Sequence, residues 1–416
     1  MKTIRLILLG CIVLVFASCS SDDSSSTGTA VFAVPEVRSL DEIRSSIAVM
    51  AAKQTQSQGK IYVAQNYIFY IAAEQGVHVF DNSNPTAPQN IAFLNIEGVH
   101  DIAVKDDRLY ADNFVDLVVF DISNMLNITQ IQTLQNVFDF FPQYPENAEF
   151  YDYTVTAGPG ELMTGFRLET RARPSEDYSV IANDAFEQFS GAAESAGVGT
   201  GGSYARFQIN GNALYAVEAF HLDVFNIANA NLAVFVNEVY MNEWFGGGEF
   251  ETLFRQKKYL FVGSTTGMFV VNAEDEFNPY FMSGFSHATA CDPVVVEGTT
   301  AYITVRGGAS CGAIEDQVNV IDVTDMSNPT LLSTYFLDQP YGLGIRSGVL
   351  YVCCGSDGLK IFDASSNVLT LEQSYGDNVT DVIPLESHLI AVGQNTIRQY
   401  NYGPEFTLEP ISVLEF

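Results

Sequence analysis

The sequence predicts an all-β fold, a β-propeller of seven blades with four antiparallel strands in each, and three observations carry that prediction. First, a two-part mark recurs: a short strand holding an aromatic or apolar anchor, then about eleven residues later a second strand ending in Asp or Asn. The anchors are Phe69, Tyr110, Tyr215, Phe261, Tyr302, Tyr351 and Ile390, and the partners are Asp81, Asp121, Asn226, Asn272, Asp322, Asp363 and Asn401. A spacing of about 40 residues is that of a four-stranded blade. Second, the residues before each acid or amide alternate, as in Val77, Val79 and Asp81 or Leu359, Ile361 and Asp363, which is the period of a strand with one buried face. Third, a chain of 416 residues with 47% hydrophobic and 12% aromatic content suits one large repeat domain, in which each unit packs only on its neighbours.

Taken in order, the chain opens with Lys2 and Arg5, then an apolar run from Leu6 to Phe16, then Phe16-Ala17-Ser18-Cys19. This is the charged, apolar, small-residue order of a secretory signal, and the run is too short to span a bilayer. The end of the run resembles the lipobox of bacterial lipoproteins, which implies cleavage after residue 18 and a lipid on Cys19. Serine after that cysteine is consistent, in such lipoproteins, with passage to the outer membrane, and Ser20-Ser21-Asp22-Asp23 resembles an export signal to the cell surface. Residues 19–30 then read as a flexible, serine-rich tether. In residues 31–58, Leu40, Ile43 and Ile47 follow Ser39 at helical spacing, predicting a lead-in helix over 37–50.

Blade one is expected over 60–96 and blade two over 101–134. A long insert over 136–204 lacks the repeat marks and holds a basic cluster, Arg167, Arg171 and Arg173, and a small-residue run that includes Gly201-Gly202. Stretches of this size inside a compact domain are functional loops or disordered segments. Blades three to seven are expected over 206–240, 251–285, 292–336, 341–375 and 381–414. After each second mark comes turn chemistry, such as Asn82-Ser83-Asn84-Pro85, so the Asp or Asn there reads as a turn former.

Segments such as Asp116-Leu117-Val118-Val119-Phe120-Asp121 and Val318-Asn319-Val320-Ile321-Asp322 resemble the LVIVD repeat of bacterial surface and secreted β-propellers. Stretches such as Gly59-Lys60-Ile61-Tyr62-Val63, Cys291-Asp292-Pro293-Val294-Val295 and Gly358-Leu359-Lys360-Ile361-Phe362-Asp363 resemble a lipoprotein subfamily of it. The resemblance implies fold and location and supplies no catalytic residues. The single tryptophan, Trp244, excludes blades that each close with Trp. There is no nucleophile elbow, His-Glu-x-x-His, P-loop or calcium loop, and His78, His100, His221, His287 and His388 show no metal-ligand spacing.

The net charge of −31 becomes about −33 without Lys2 and Arg5. Such a field repels nucleic acid and anionic lipid, and favours cationic partners, divalent ions or solubility alone. Of the cysteines in an oxidising compartment, Cys291 and Cys311 flank the first two strands of blade five on one face, predicting a disulfide that clips an enlarged loop. Cys353 and Cys354 end a strand, with one expected as a buried small hydrophobe and a strained vicinal bridge as the alternative.

The same geometry gives the candidate site. Starts of innermost strands crowd one channel mouth, bringing Lys60, His100, Asp101, Arg206, Glu251, Thr252, Asp292, Tyr341 and Asp381 together, with Glu74, Glu218 and Arg306 from the ends of second strands. Either Asp101, Glu251, Asp292 and Asp381 hold a divalent cation, or opposite charges pair and bond the first amides of neighbouring strands. The expected function is an envelope lipoprotein, a monomer, whose non-catalytic propeller binds a protein, peptide or glycan, with no nucleic acid partner and no required cofactor. The alternative is a metal-dependent hydrolase or lactonase. Stacked aromatics exposed beside the mouth would favour a glycan.

Overall fold

The computed structural model describes residues 28–54, 59–173, 200–241, 249–286, 293–306, 315–393 and 395–415. Seven sheets, each an antiparallel meander of four consecutive strands, form the ring, and each begins and ends within a few residues of the span that the repeat marks predict. First strands of successive blades touch one another, which places them innermost. All seven aromatic or apolar anchors are buried. Six of the seven Asp/Asn partners accept, through Oδ1, the amide two residues on, at 2.8–2.9 Å. The repeat is thus a buried knob on the second strand and an Asx turn after the third.

In every blade the pairing of third and fourth strands slips, between Val79 and Phe80 in blade one and at the matching place in the other six, with a second slip between Asn226 and Asn229 in blade three. A bulge bends and over-twists its strand, so each outer edge turns away from a flat ladder.

Blade one takes all four strands from residues 59–95 and blade seven takes all four from 381–415, so no strand is shared across the ring's seam. Apolar packing closes it, with Ile61, Ile68 and Tyr70 against Ile383, Ile390 and Val392. A buried amide pair adds to this: Asn82 Nδ2 donates to Gln399 Oε1 at 3.0 Å and Gln399 Nε2 returns a bond to Asn82 Oδ1 at 2.8 Å. Truncating Gln399 to Ala leaves both Asn82 groups buried without partners. The expected loss is about 2 kcal/mol, read as a lowered denaturant midpoint at unchanged slope.

The N-terminal segment differs from the expectation. The helix runs only over Leu40–Ser46, capped by Ser39, whose hydroxyl accepts from Asp41 N at 3.2 Å. Before it, Thr29–Ser39 is a strand, so the chain is already in a sheet at the end of the predicted tether. The reason is local: Val31, Val34 and Val37 are β-branched, and Pro35 disfavours helix for itself and for Val34. After the helix, Ala48–Met50 adds a strand to the outer edge of blade one.

The strand Thr29–Ser39 pairs along its length with Glu161–Ala172 and briefly with Phe150–Tyr151, making an eighth, three-stranded sheet. The insert is therefore ordered over 136–173, where it carries two strands, and again over 200–205. Arg38 is ion-paired with Glu97, and Arg44 holds Asp116 at 2.7 Å, fixing this sheet and its helix over blades one and two on the mouth side. Among the described residues no helix is long and apolar enough to cross a membrane. The signal segment and Cys19 lie outside the described residues.

Candidate functional site

Strand starts do converge on one mouth, and the chain itself fills it. Thr200–Gly201 pairs with the inner edge of blade one, opposite Val63 and Tyr62. Gly202 N then donates to Ile61 O at 3.0 Å, and Ser203, Tyr204 and Ala205, all buried, complete the crossing to Arg206 at the start of blade three. The last residues of the insert thus run along the channel wall to the mouth.

The mouth residues hold this segment. Asp381 of blade seven accepts from Ser203 N at 2.7 Å and Ser203 Oγ at 2.9 Å, while that hydroxyl accepts from Leu343 N of blade six at 2.6 Å. Lys60 Nζ donates to Tyr204 O at 3.3 Å and lies 3.2 Å from Asp101 Oδ1. Asp101 Oδ2 accepts the amides of Arg206 and Phe207, the first of blade three. Leu253 N of blade four donates to Ala205 O at 2.9 Å. One hexapeptide is therefore bonded to blades one, four, six and seven.

Close approach explains the glycines. A Cβ on Gly202 would lie 1.6 Å from Asp381 Oδ2, and one on Gly342 would lie 2.5 Å from Asp381 Oδ1 and 2.6 Å from Ser203 Oγ. Burial pushes the Asp381 carboxyl up to about 7, the Ser203 amide and hydroxyl only partly offsetting it, and its Oδ2 has no hydrogen-bond partner. Burial likewise lowers Lys60, against the pull of Asp101.

The remaining mouth residues divide into local groups. His100 Nδ1 lies 3.2 Å from Asp112 Oδ2, and Asp112 Oδ1 accepts the amides of His100 and Asp101. Burial pushes Asp112 up, but the imidazole and the two amides outweigh it, and the carboxyl sits below its usual range. Arg206 lies 3.5 Å from Glu218, which burial nonetheless raises to about 7. The Arg306 guanidinium stands 4.3 Å over the Tyr341 ring. Thr252 is buried and Glu251 half-buried at the start of blade four. Glu74 departs from the expectation. Its backbone ties the turn to Val99 and Gly98, at a positive φ of 61°, and its side chain is exposed.

The acids offered for a divalent cation are not gathered. Asp101 and Asp381 Oδ1 are bonded to separate partners, and no group of three or more His, Cys, Asp or Glu among the described residues is placed to hold a metal. Asp292, and with it the predicted Cys291–Cys311 disulfide, lies outside the described residues. Cys353 and Cys354 are both buried and both free, so the vicinal bridge is not made. Their alternation is lost because Cys354 turns off the strand: its amide bonds Gly358 O at 2.8 Å.

Sequence reading missed Asp112, Ser203 and Tyr204. Asp112 stands one residue before the end of a second strand and Glu218 one residue beyond the end of another, so the rule that found one could have found the other. The run Gly201-Gly202 was visible, but nothing in the sequence says that its neighbour is Asp381, 178 residues away. The basic cluster is neutralised on the eighth sheet, with Arg171 2.5 Å from Asp152 and Arg167 and Arg173 paired with Glu169 and Glu149. That sheet also carries partly exposed rings: Tyr144 and Tyr151 stack at 6.4 Å, Tyr151 meets Tyr153 at 4.6 Å, and Phe166 closes the group 5.5 Å from Tyr144.

No family model and no curated protein matches the chain. Solved structures do. A periplasmic gluconolactonase from Pseudomonas aeruginosa superposes with TM-score 0.52 at 10% identity, over 89% of this chain and 96% of that one. A protein from Lactobacillus plantarum gives 0.53 at 13% identity over 88% and 96%. The computationally designed Ika8 protein gives 0.50 at 9% identity over 88% and 89%. At these identities the likeness is one of fold: the chain is a β-propeller over nearly its whole described length.

Proposed function

We propose that this protein is an LVIVD-type envelope lipoprotein, held to the outer membrane by a lipid on Cys19, whose propeller binds a glycan without catalysing a reaction on it. The observation that carries the reading is the occupied mouth. Asp381 and Lys60 are bonded to Ser203 and Tyr204, and Asp101 to the amides of Arg206 and Phe207. A mouth filled by its own backbone leaves no room for a reacting group.

What remains on that face is the aromatic group of the eighth sheet, in which Tyr153 is 49% exposed. Rings held by their neighbours offer flat apolar area to a sugar face at small entropic cost. The strong negative charge keeps nucleic acid away and suits an uncharged ligand.

The test is retention of the mature domain on immobilised envelope polysaccharide, for the parent chain and for a Tyr144→Ala, Tyr153→Ala variant. Each ring is worth about 0.5–1.5 kcal/mol, so the variant is expected to bind roughly tenfold or more weakly. Equal retention by both would overturn the glycan reading. A stoichiometric divalent ion that Asp292→Ala removes, together with lactone hydrolysis, would establish the enzyme instead.

A further inference from the structure

The other end of the channel is open. A cavity of about 390 Å³ is walled by the far halves of the first strands of blades four to seven, and by Thr200–Gly201 on the side of blade one. It is separate from the mouth described above and goes beyond the glycan reading.

Its charges are unusual for this molecule. Cations elsewhere in the described residues are mostly consumed by carboxylates, as in Arg44–Asp116, Lys60–Asp101, Arg108–Asp121 and Arg398–Asp377. Three cationic residues line this one cavity: Arg255, Lys257 and Arg346. Among the described residues neither Lys257 nor Arg346 has a carboxylate within ion-pair reach; Arg346 stands 5.2 Å over the Tyr402 ring instead. Arg255 is held in place in part by its bonds to Asn210 Oδ1 at 3.2 Å and Lys257 O at 2.7 Å.

Two acids share the lining, and neither is ion-paired with Lys257 or Arg346. Glu297 turns both oxygens to the backbone, accepting Ser347 N at 2.6 Å and Gly348 N at 2.7 Å. Glu386 is exposed and forms no ion pair with a described residue. We propose that this cavity is a binding site for a small polyanion, a molecule bearing two or three carboxylates or a phosphate ester, seated between Lys257 and Arg346 with the Arg255 guanidinium behind it. The volume is that of ordinary small-ligand sites. The global charge does not forbid it, because at physiological salt the field of distant carboxylates is screened beyond about 8 Å, and nearby cations decide.

The experiment is isothermal titration of the mature protein with citrate and, separately, with inorganic pyrophosphate at matched ionic strength, which distinguishes carboxylate from phosphate chemistry. Saturable one-to-one binding of at least one probe is expected, weakening as sodium chloride is raised. A Lys257→Gln, Arg346→Gln variant should bind at least tenfold more weakly, with Arg346→Lys recovering part of the loss, and with an unchanged melting temperature in the absence of probe. No saturable binding of either probe, or equal binding by the glutamine variant, would overturn the proposal.

Discussion

Replacing Gly202 by Ala will unseat the channel segment. The new methyl group would fall 1.6 Å from Asp381 Oδ2 and 2.5 Å from its Cγ, a separation no real pair of atoms tolerates. Relief requires the carboxyl to swing away, and Asp381 is too short and too buried to move while still accepting from Ser203 N and Oγ. Overpacking of this kind costs about 1–3 kcal/mol, and leaving a buried amide and hydroxyl unpaired costs about as much again. A total near 4 kcal/mol, read from chemical denaturation, is the expected result. The mechanism has its own signature. In an Asp381→Ala background the same glycine change should cost much less, because the obstacle has been removed, and a double-mutant cycle should give a coupling of about 2 kcal/mol or more. Strict additivity would show that Gly202 matters for some other reason.

Stability will fall as pH rises from about 4 to 7, and Asp381 will account for a large part of the fall. The unfolded carboxyl groups of Asp and Glu titrate near 3.9 and 4.3, whereas burial holds Asp381 and Glu218 at about 7 in the folded protein. Across that window the native state keeps protons that the unfolded chain has released, so the slope of unfolding free energy against pH is negative. The stabilisation is complete below the unfolded values and gone above about 7. At 1.36 kcal/mol per unit, the raised Asp381 corresponds to about 4 kcal/mol. Carboxylates held low by their partners, such as Asp152 beside Thr154 and Arg171, act in the opposite direction and below this range. Asp381→Asn keeps an acceptor for Ser203 and cannot ionise. Its melting temperature should cross that of the parent, lower near pH 5 and higher near pH 8. Parallel profiles for the two proteins would refute the assignment.

Both predictions turn on residues that were legible to different degrees. Asp381 is visible in the sequence as the first residue of a repeat unit, since Ile390 and Asn401 mark its blade. The seven anchors and the Asx turns are local, decided within a dozen residues by burial period and turn chemistry, and the structure buries all seven anchors and forms six of the seven turns. Ser203 and Tyr204 obey no local rule. The partners of Ser203 lie 140 and 178 residues on and that of Tyr204 lies 144 residues before it, and their conformation is set by whatever room the ring leaves. The bulge in every outer strand was equally invisible, because it arises from pairing with a neighbour and not from composition. The strand Thr29–Ser39 had a local signal, in its valines and Pro35, that the helical spacing of Leu40, Ile43 and Ile47 obscured.

The seam between the first and last blades has a temporal meaning. Because neither blade lends a strand to the other, the wheel can be assembled blade by blade from the amino end as the chain emerges, each sector resting on the one before. Residues 200–205 are made less than halfway through synthesis, yet the carboxylate that fixes them belongs to the final sector. They can settle only when the circle is complete, so their docking reports completion. A protein truncated before blade seven should keep this stretch open to proteases while its earlier blades resist.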